Sequence, residues 1–138
     1  MIDFNFEEID KPNINLDLVE KWISNVITRN SKSVGDLTYI FCSDEYLLEI
    51  NKEYLNHNYF TDIITFNYCE GDVVSGDIFI SVDTVLDNAN TFDVSFDNEL
   101  NRVIIHGILH LIGFDDKTDE DQEEMTRQEN ISLELLNA

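Results

Sequence analysis

Apolar and polar residues alternate at the start of the chain. Ile2, Phe4 and Phe6 are set against Asp3, Asn5 and Glu7, a two-residue period that predicts a strand over residues 2–8. The period then lengthens. After Asn15 or Asp17, either able to cap a helix, Leu18, Trp22, Ile23, Val26 and Ile27 recur on one helical face through about Asn30. Gly35-Asp36 breaks that pattern, and Leu37–Cys42 is apolar and rich in strand formers. Ser43 can cap a second helix over residues 44–56, with Tyr46, Leu47, Ile50 and Tyr54 turned inward. Ile63–Phe66 and Gly76–Ile80 read as two more strands, joined by an exposed connection from Cys69 to Ser75. Helical spacing returns at Asp83–Asn90, at about Asp97–Ile112 and at about Asp119–Leu136. Thr118 and Asp121 make a capping pair for the last. This order predicts an α+β domain spanning residues 1–138, with a small mixed sheet of about four strands covered by helices.

The helix predicted near residues 97–112 is unusual. Leu100, Val103, Ile104, Ile105, Ile108, Leu109, Leu111 and Ile112 leave it apolar nearly all round, which predicts a buried helix. His106 and His110 interrupt it. A single core histidine usually finds one hydrogen bond and does nothing else. Two at i and i+4 share a face, and each must have its polar atoms satisfied in an apolar setting. Gly113 can end the helix and return the chain so that Asp116 reaches the same point. Two imidazoles and a carboxylate are the ligand set of a catalytic zinc site with a fourth position open to water. A carboxylate ligand also leaves manganese or iron plausible. Asp115, next door, competes with Asp116 for the third place. Gly107 costs roughly 1 kcal/mol against alanine in a helix, so it predicts close approach of another backbone or of a substrate. It also stands where zinc peptidases of the HExxH type carry their general-base glutamate, which counts against a peptidase.

Against 29 acids there are 8 lysines and arginines, a formal net charge of −21. Affinity for phosphate normally comes from Lys and Arg, so a nucleic-acid substrate would meet long-range repulsion, whereas basic proteins would be attracted. No run of about 18 apolar residues predicts a membrane span, and the acidic N-terminus does not resemble a signal peptide. A cytoplasmic location is therefore expected. Cys42 and Cys69 form no CxxC pair, lie in apolar runs, and read as buried, reduced thiols.

His106-Gly-x-Leu-His110-Leu-x-Gly-Phe114-Asp115-Asp116 resembles the HGxLHLxGYDH motif of the YbeY family. Asn51 and Tyr54 followed by Thr61-Asp62-Ile-Ile-Thr-Phe66 resemble that family's stretch ending in TDVLSF, and Ser75–Ile80 its GDI strand. Glu99-Leu100, Met125 and Glu129 also match, so the resemblance covers about residue 40 to the end. It implies a zinc-dependent endoribonuclease acting on single-stranded RNA near the 3′ end of the 16S rRNA precursor. Small-subunit assembly and quality control, alongside small-subunit ribosomal proteins, come with it. Two departures stand out. The family's third metal histidine falls at Asp116. Leu55 stands where the family usually carries an arginine facing the substrate, a loss of a bidentate phosphate contact that His57 or Lys52 would have to offset.

The remaining candidates have two readings each. His57 either shuttles a proton or is a surface residue. Tyr54, Tyr59 and Phe60 either stack on bases or cover the sheet edge. Asp62 and Asp77 either orient the cleft or cap turns. The seven acids of residues 115–124 either attract a second cation or form the solvated start of a helix, where acids suit the dipole. Two other functions compete with the nuclease: a non-catalytic, metal-stabilised assembly factor that binds basic ribosomal proteins, and a zinc peptidase-like hydrolase.

Overall fold

The computed structural model describes residues 1–57 and 61–136. Its elements run β1 (Ile2–Glu7), α1 (Leu16–Arg29), β2 (Ser33–Cys42), α2 (Asp44–Leu55), β3 (Ile63–Asn67), β4 (Val73–Ser81), α3 (Val82–Phe92), α4 (Phe96–Ile112) and α5 (Asp119–Leu136). The strands form one sheet in the order β1-β2-β4-β3. β1 and β4 both run parallel to β2, and β3 is antiparallel to β4, so the α+β class and the four-stranded mixed sheet match expectation. Parallel neighbours cannot be joined by a tight hairpin. α1 carries the chain from β1 to β2, and α2 with β3 carries it on to β4.

Strand alternation divides the sheet into two unequal faces. Leu37, Tyr39, Phe41, Ile78 and Ile80 join α1, α4 and α5 in the main core. Cys42, Ile64, Phe66 and Phe79 meet Leu47 of α2 in a smaller cluster on the other side. α4 is the buried helix foreseen from its composition. Leu100, Ile104, Ile105 and Ile108 are completely buried, each contributing about 1.5–3 kcal/mol relative to exposure. Two long-range hydrogen bonds hold the layers in register. The Tyr39 hydroxyl donates to the Ile104 carbonyl, tying β2 to α4, and the Trp22 indole donates to the Ser132 carbonyl, tying α1 to α5. The histidine-bearing helix is thereby a rigid platform.

Several local expectations are corrected. Leu18 is exposed, because the buried stripe of α1 begins one residue later at Val19. Gly35-Asp36 lies inside β2 as an irregularity in its pairing with β4. A Cβ at Gly35 would stand 2.1 Å from the Ser75 hydroxyl, and that hydroxyl accepts from the Asp36 N–H, so the glycine admits the close approach. The predicted connection from Cys69 to Ser75 is shorter, since Val73 already begins β4. Tyr54 does not turn inward: it is exposed, its ring edge standing on Phe66, while Asn51 is the buried residue of that turn. At Gly107 the close approach is made by side chains rather than by backbone. Its missing Cβ makes room for the side chains of Ile63, Ile78 and Thr65, at 3.0, 3.1 and 3.4 Å.

Candidate metal centre

His106 and His110 lie one turn apart on α4, their ring centroids 4.7 Å apart. Gly113 ends the helix at φ 127°, a conformation that glycine adopts without strain. The N–H groups of Gly113 and Phe114 both donate to the Leu109 carbonyl, which turns the chain back sharply. Asp116 arrives at the histidines as a result. Its Oδ2 lies 3.2 Å from His110 Nε2 and 3.5 Å from His106 Nε2. Donor atoms of the three residues all fall within 4.8 Å of one another, and no other group of this kind occurs among the described residues.

The loop that presents Asp116 is itself fixed. Asp115 Oδ1 accepts from the Asp116 N–H, and the Gln122 side chain donates to the Asp116 carbonyl. Asp115 is thus engaged in shaping the turn, and Asp116 is the carboxylate brought to the imidazoles. Thr118 caps α5 by accepting from the Asp121 N–H. The acids that follow occupy the first turn of that helix, and Glu124 is paired with Arg127.

Behind the histidines lies a second layer. Glu129 Oε2 is 2.6 Å from His106 Nδ1, and Glu129 Oε1 accepts from Arg102 at 2.8 Å. Burial opposes a charge on His106, but the hydrogen bond and charge of Glu129, with Asp116 and Asp62 nearby, outweigh it and raise the imidazole pKa above its ordinary value. A cavity of about 120 Å³ is lined by Asp62, Glu99, Arg102, Val103, His106 and Glu129, among others. Burial raises the pKa of both Asp62 and Glu99, with His106 and Arg102 respectively pulling the other way. On its outer side His106 shares a cavity of about 230 Å³ with Asp116, Gln122, Met125, Thr126 and Glu129.

The other candidates are placed elsewhere. Asp77 accepts from the Tyr68 hydroxyl, and Lys52 pairs with Glu49 on α2. Leu55 and His57 are exposed and line neither cavity that contains His106. Tyr59 and Phe60 lie outside the described residues. Both cysteines are free: Cys42 is buried, which pushes its thiol up to about 12 with help from Asp44 and Asp83, and Cys69 is half-buried rather than buried. Arg102 was not anticipated from sequence, and Glu129 was marked only by resemblance. A lone arginine before an apolar run carries no signal until α5 packs beside it.

A family model described as Endoribonuclease YbeY matches residues 4–137. The chain belongs to that family. It is similar to the Endoribonuclease YbeY of Phocaeicola vulgatus, 51% identical over 136 residues that span 99% of each chain. The Endoribonuclease YbeY of Porphyromonas gingivalis is 49% identical over 135 residues, covering 98% of this chain and 89% of the relative. Among solved structures, the solution structure of TM1509 from Thermotoga maritima matches with a TM-score of 0.71 at 28% identity, covering 96% of this chain and 88% of that one. Membership supports a nuclease, hence hydrolytic, activity. The match also begins well before residue 40, where the motif resemblance starts. Among the described residues no helix is long and apolar enough to cross a membrane.

Proposed function

We propose that this chain is a metal-dependent endoribonuclease that cuts single-stranded RNA during 16S rRNA 3′-end maturation and small-subunit assembly. The convergence of His106, His110 and Asp116 carries this reading, in a family named for endoribonuclease activity. The donor set fits a metal: two imidazoles and one carboxylate suit zinc, and also manganese or iron. A bound ion would supply a Lewis acid beside a phosphodiester and lower the pKa of water near neutrality.

The chain's own residues have definable tasks. Glu129 orients His106. The tight turn at Gly113 sets Asp116. The buried face of α4 keeps solvent from reaching the histidines from beneath. Arg102, the one lysine or arginine among the described residues lining the cavities that contain His106, already spends two of its donors on Glu129 and Asn130. Charge on the phosphate is then left chiefly to the ion, which makes activity strongly dependent on metal supply.

The test is cleavage of a single-stranded RNA copying the 16S 3′ end, with wild type and His106→Ala purified in parallel so that contaminating nuclease shows in both. Wild-type cleavage that chelation abolishes and His106→Ala lacks is the expected outcome. Equal cleavage by both, or none across several metals, removes the reading. The net charge of −21 and Leu55 favour a second one, a metal-stabilised assembly factor that docks on basic ribosomal proteins. That reading gains if small-subunit proteins bind equally to wild type and to the His106→Ala, His110→Ala variant while no RNA is cut. The peptidase reading has less support, since Gly107 provides no carboxylate beside His106.

A further inference from the structure

We propose that Arg102 and Glu129 are positioning residues that set the tautomer of His106, so that its Nε2 carries the lone pair offered to the metal. This role rests on the metal-centre reading above. An ionised carboxylate only accepts hydrogen bonds, so the 2.6 Å contact between Glu129 Oε2 and His106 Nδ1 places the imidazole proton on Nδ1. In the neutral ring Nε2 is then the free donor atom, and Nε2 is the atom facing Asp116.

Arg102 determines which way the carboxylate group must present itself. Its Nη1 donates to Glu129 Oε1 and its Nη2 to Asn130 Oδ1, each at 2.8 Å. A guanidinium has five donors and no acceptor, and it stays protonated, so the Oε1 side of residue 129 must always accept. Arg102 lies one turn before His106 on α4, while Glu129 and Asn130 are adjacent on α5. Two residues of α4, Arg102 and His106, therefore hold one carboxylate of α5 by both oxygens, in a site where the Glu129 side chain is only 9% exposed.

This arrangement gives Glu129→Gln an outcome that shape alone does not predict. Glutamine keeps the outline but has one oxygen and one NH2. Arg102 claims the oxygen, and the NH2 then faces His106 Nδ1. Nδ1 must accept, the ring proton moves to Nε2, and the metal-facing lone pair is lost. Removing the guanidinium as well, in Arg102→Met/Glu129→Gln, frees the amide to turn its oxygen toward Nδ1 and restores the tautomer.

The experiment reads the His106 ring nitrogens of metal-free protein by long-range proton–nitrogen NMR, at a pH above the end of the ring's own observed titration. Zinc affinity is measured alongside by competition with a chromophoric chelator. Wild type should show Nδ1–H. Glu129→Gln should show Nε2–H and bind zinc roughly 10–100-fold more weakly, and the double variant should recover most of that loss. A merely structural Arg102 would make the double variant weaker than Glu129→Gln, because two independent losses add. Nε2–H in wild type, unchanged affinity in Glu129→Gln, or no recovery in the double variant overturns the proposal. If Glu129→Gln does not fold, the wild-type tautomer alone decides. If wild type binds no zinc, the metal-centre reading falls, while the tautomer series still reports on the Arg102–Glu129 pair by itself.

Discussion

At the scale of single residues, the candidate centre depends on one carboxylate arriving where two imidazoles already wait. Asp116 and Asp115 are chemically alike and adjacent, and the turn after Gly113 separates their tasks. Asp116→Ala should therefore weaken zinc binding by more than ~100-fold, beyond the effect of losing an outer partner. Asp115→Ala should change it by only a few-fold. Calorimetric titration of metal-free protein with zinc distinguishes the two, and equal losses would mean that Asp115 also ligates. Asp62 gives a test by pH. Burial raises its folded-state pKa above the unfolded value near 3.9. Its contribution to stability is thus fully present below that unfolded value and is lost as pH rises through the folded one. Asp62→Asn retains an oxygen for the Asn88 amide that now donates to Asp62. The variant should melt above wild type at neutral pH, with the difference closing as pH falls through the carboxylate range. A lower melting temperature at neutral pH would show that the charge is stabilised there. His106 and His110 were legible in the sequence because i and i+4 is a local relation. Arg102 was not, because its partners lie 27 and 28 positions away.

At the scale of elements, glycines decide how closely α4 and β3 approach β4. A Cβ at Gly76 would meet the Phe66 carbonyl at 2.4 Å, and Gly76 is paired with Asn67 across the β3–β4 ladder. Backbone cannot yield there without separating the strands. At Gly107 the nearest atoms are side-chain methyls, and alanine regains roughly 1 kcal/mol of helix propensity. Gly76→Ala should therefore cost about 1–3 kcal/mol, and Gly107→Ala about 1 kcal/mol or less. Urea unfolding midpoints of the two variants check the order, and the reverse order would show that the α4–sheet contact is the less yielding. Helices and strands were largely readable from their periods, most of all α4, whose composition marked it as buried. Inward and outward turns at element ends were less so. Leu18 and Tyr54 keep helical spacing yet lie past the edge of what they would cover, and only the packed sheet shows where that edge falls.

At the scale of the whole molecule, charge is the dominant feature. A net charge of −21 on 138 residues repels itself, and salt screens that repulsion over about 10 Å at 0.1 M. The melting temperature of metal-free protein should rise between low and moderate salt. A fall would mean that ion pairs such as Arg102–Glu129 outweigh the general repulsion. The class of fold followed from patterns local in the chain: a period of two, a period near four, and the glycines and caps between them. The pair of histidines followed in the same way, since helix geometry makes neighbours of residues four apart. Strand order and the engagement of Arg102 and Glu129 with His106 did not. They depend on β4 passing beside β2 before the chain returns as α4 and α5. Contacts of that range arise only when separate hydrophobic faces are buried together, and periodicity along the chain carries no record of which faces will meet.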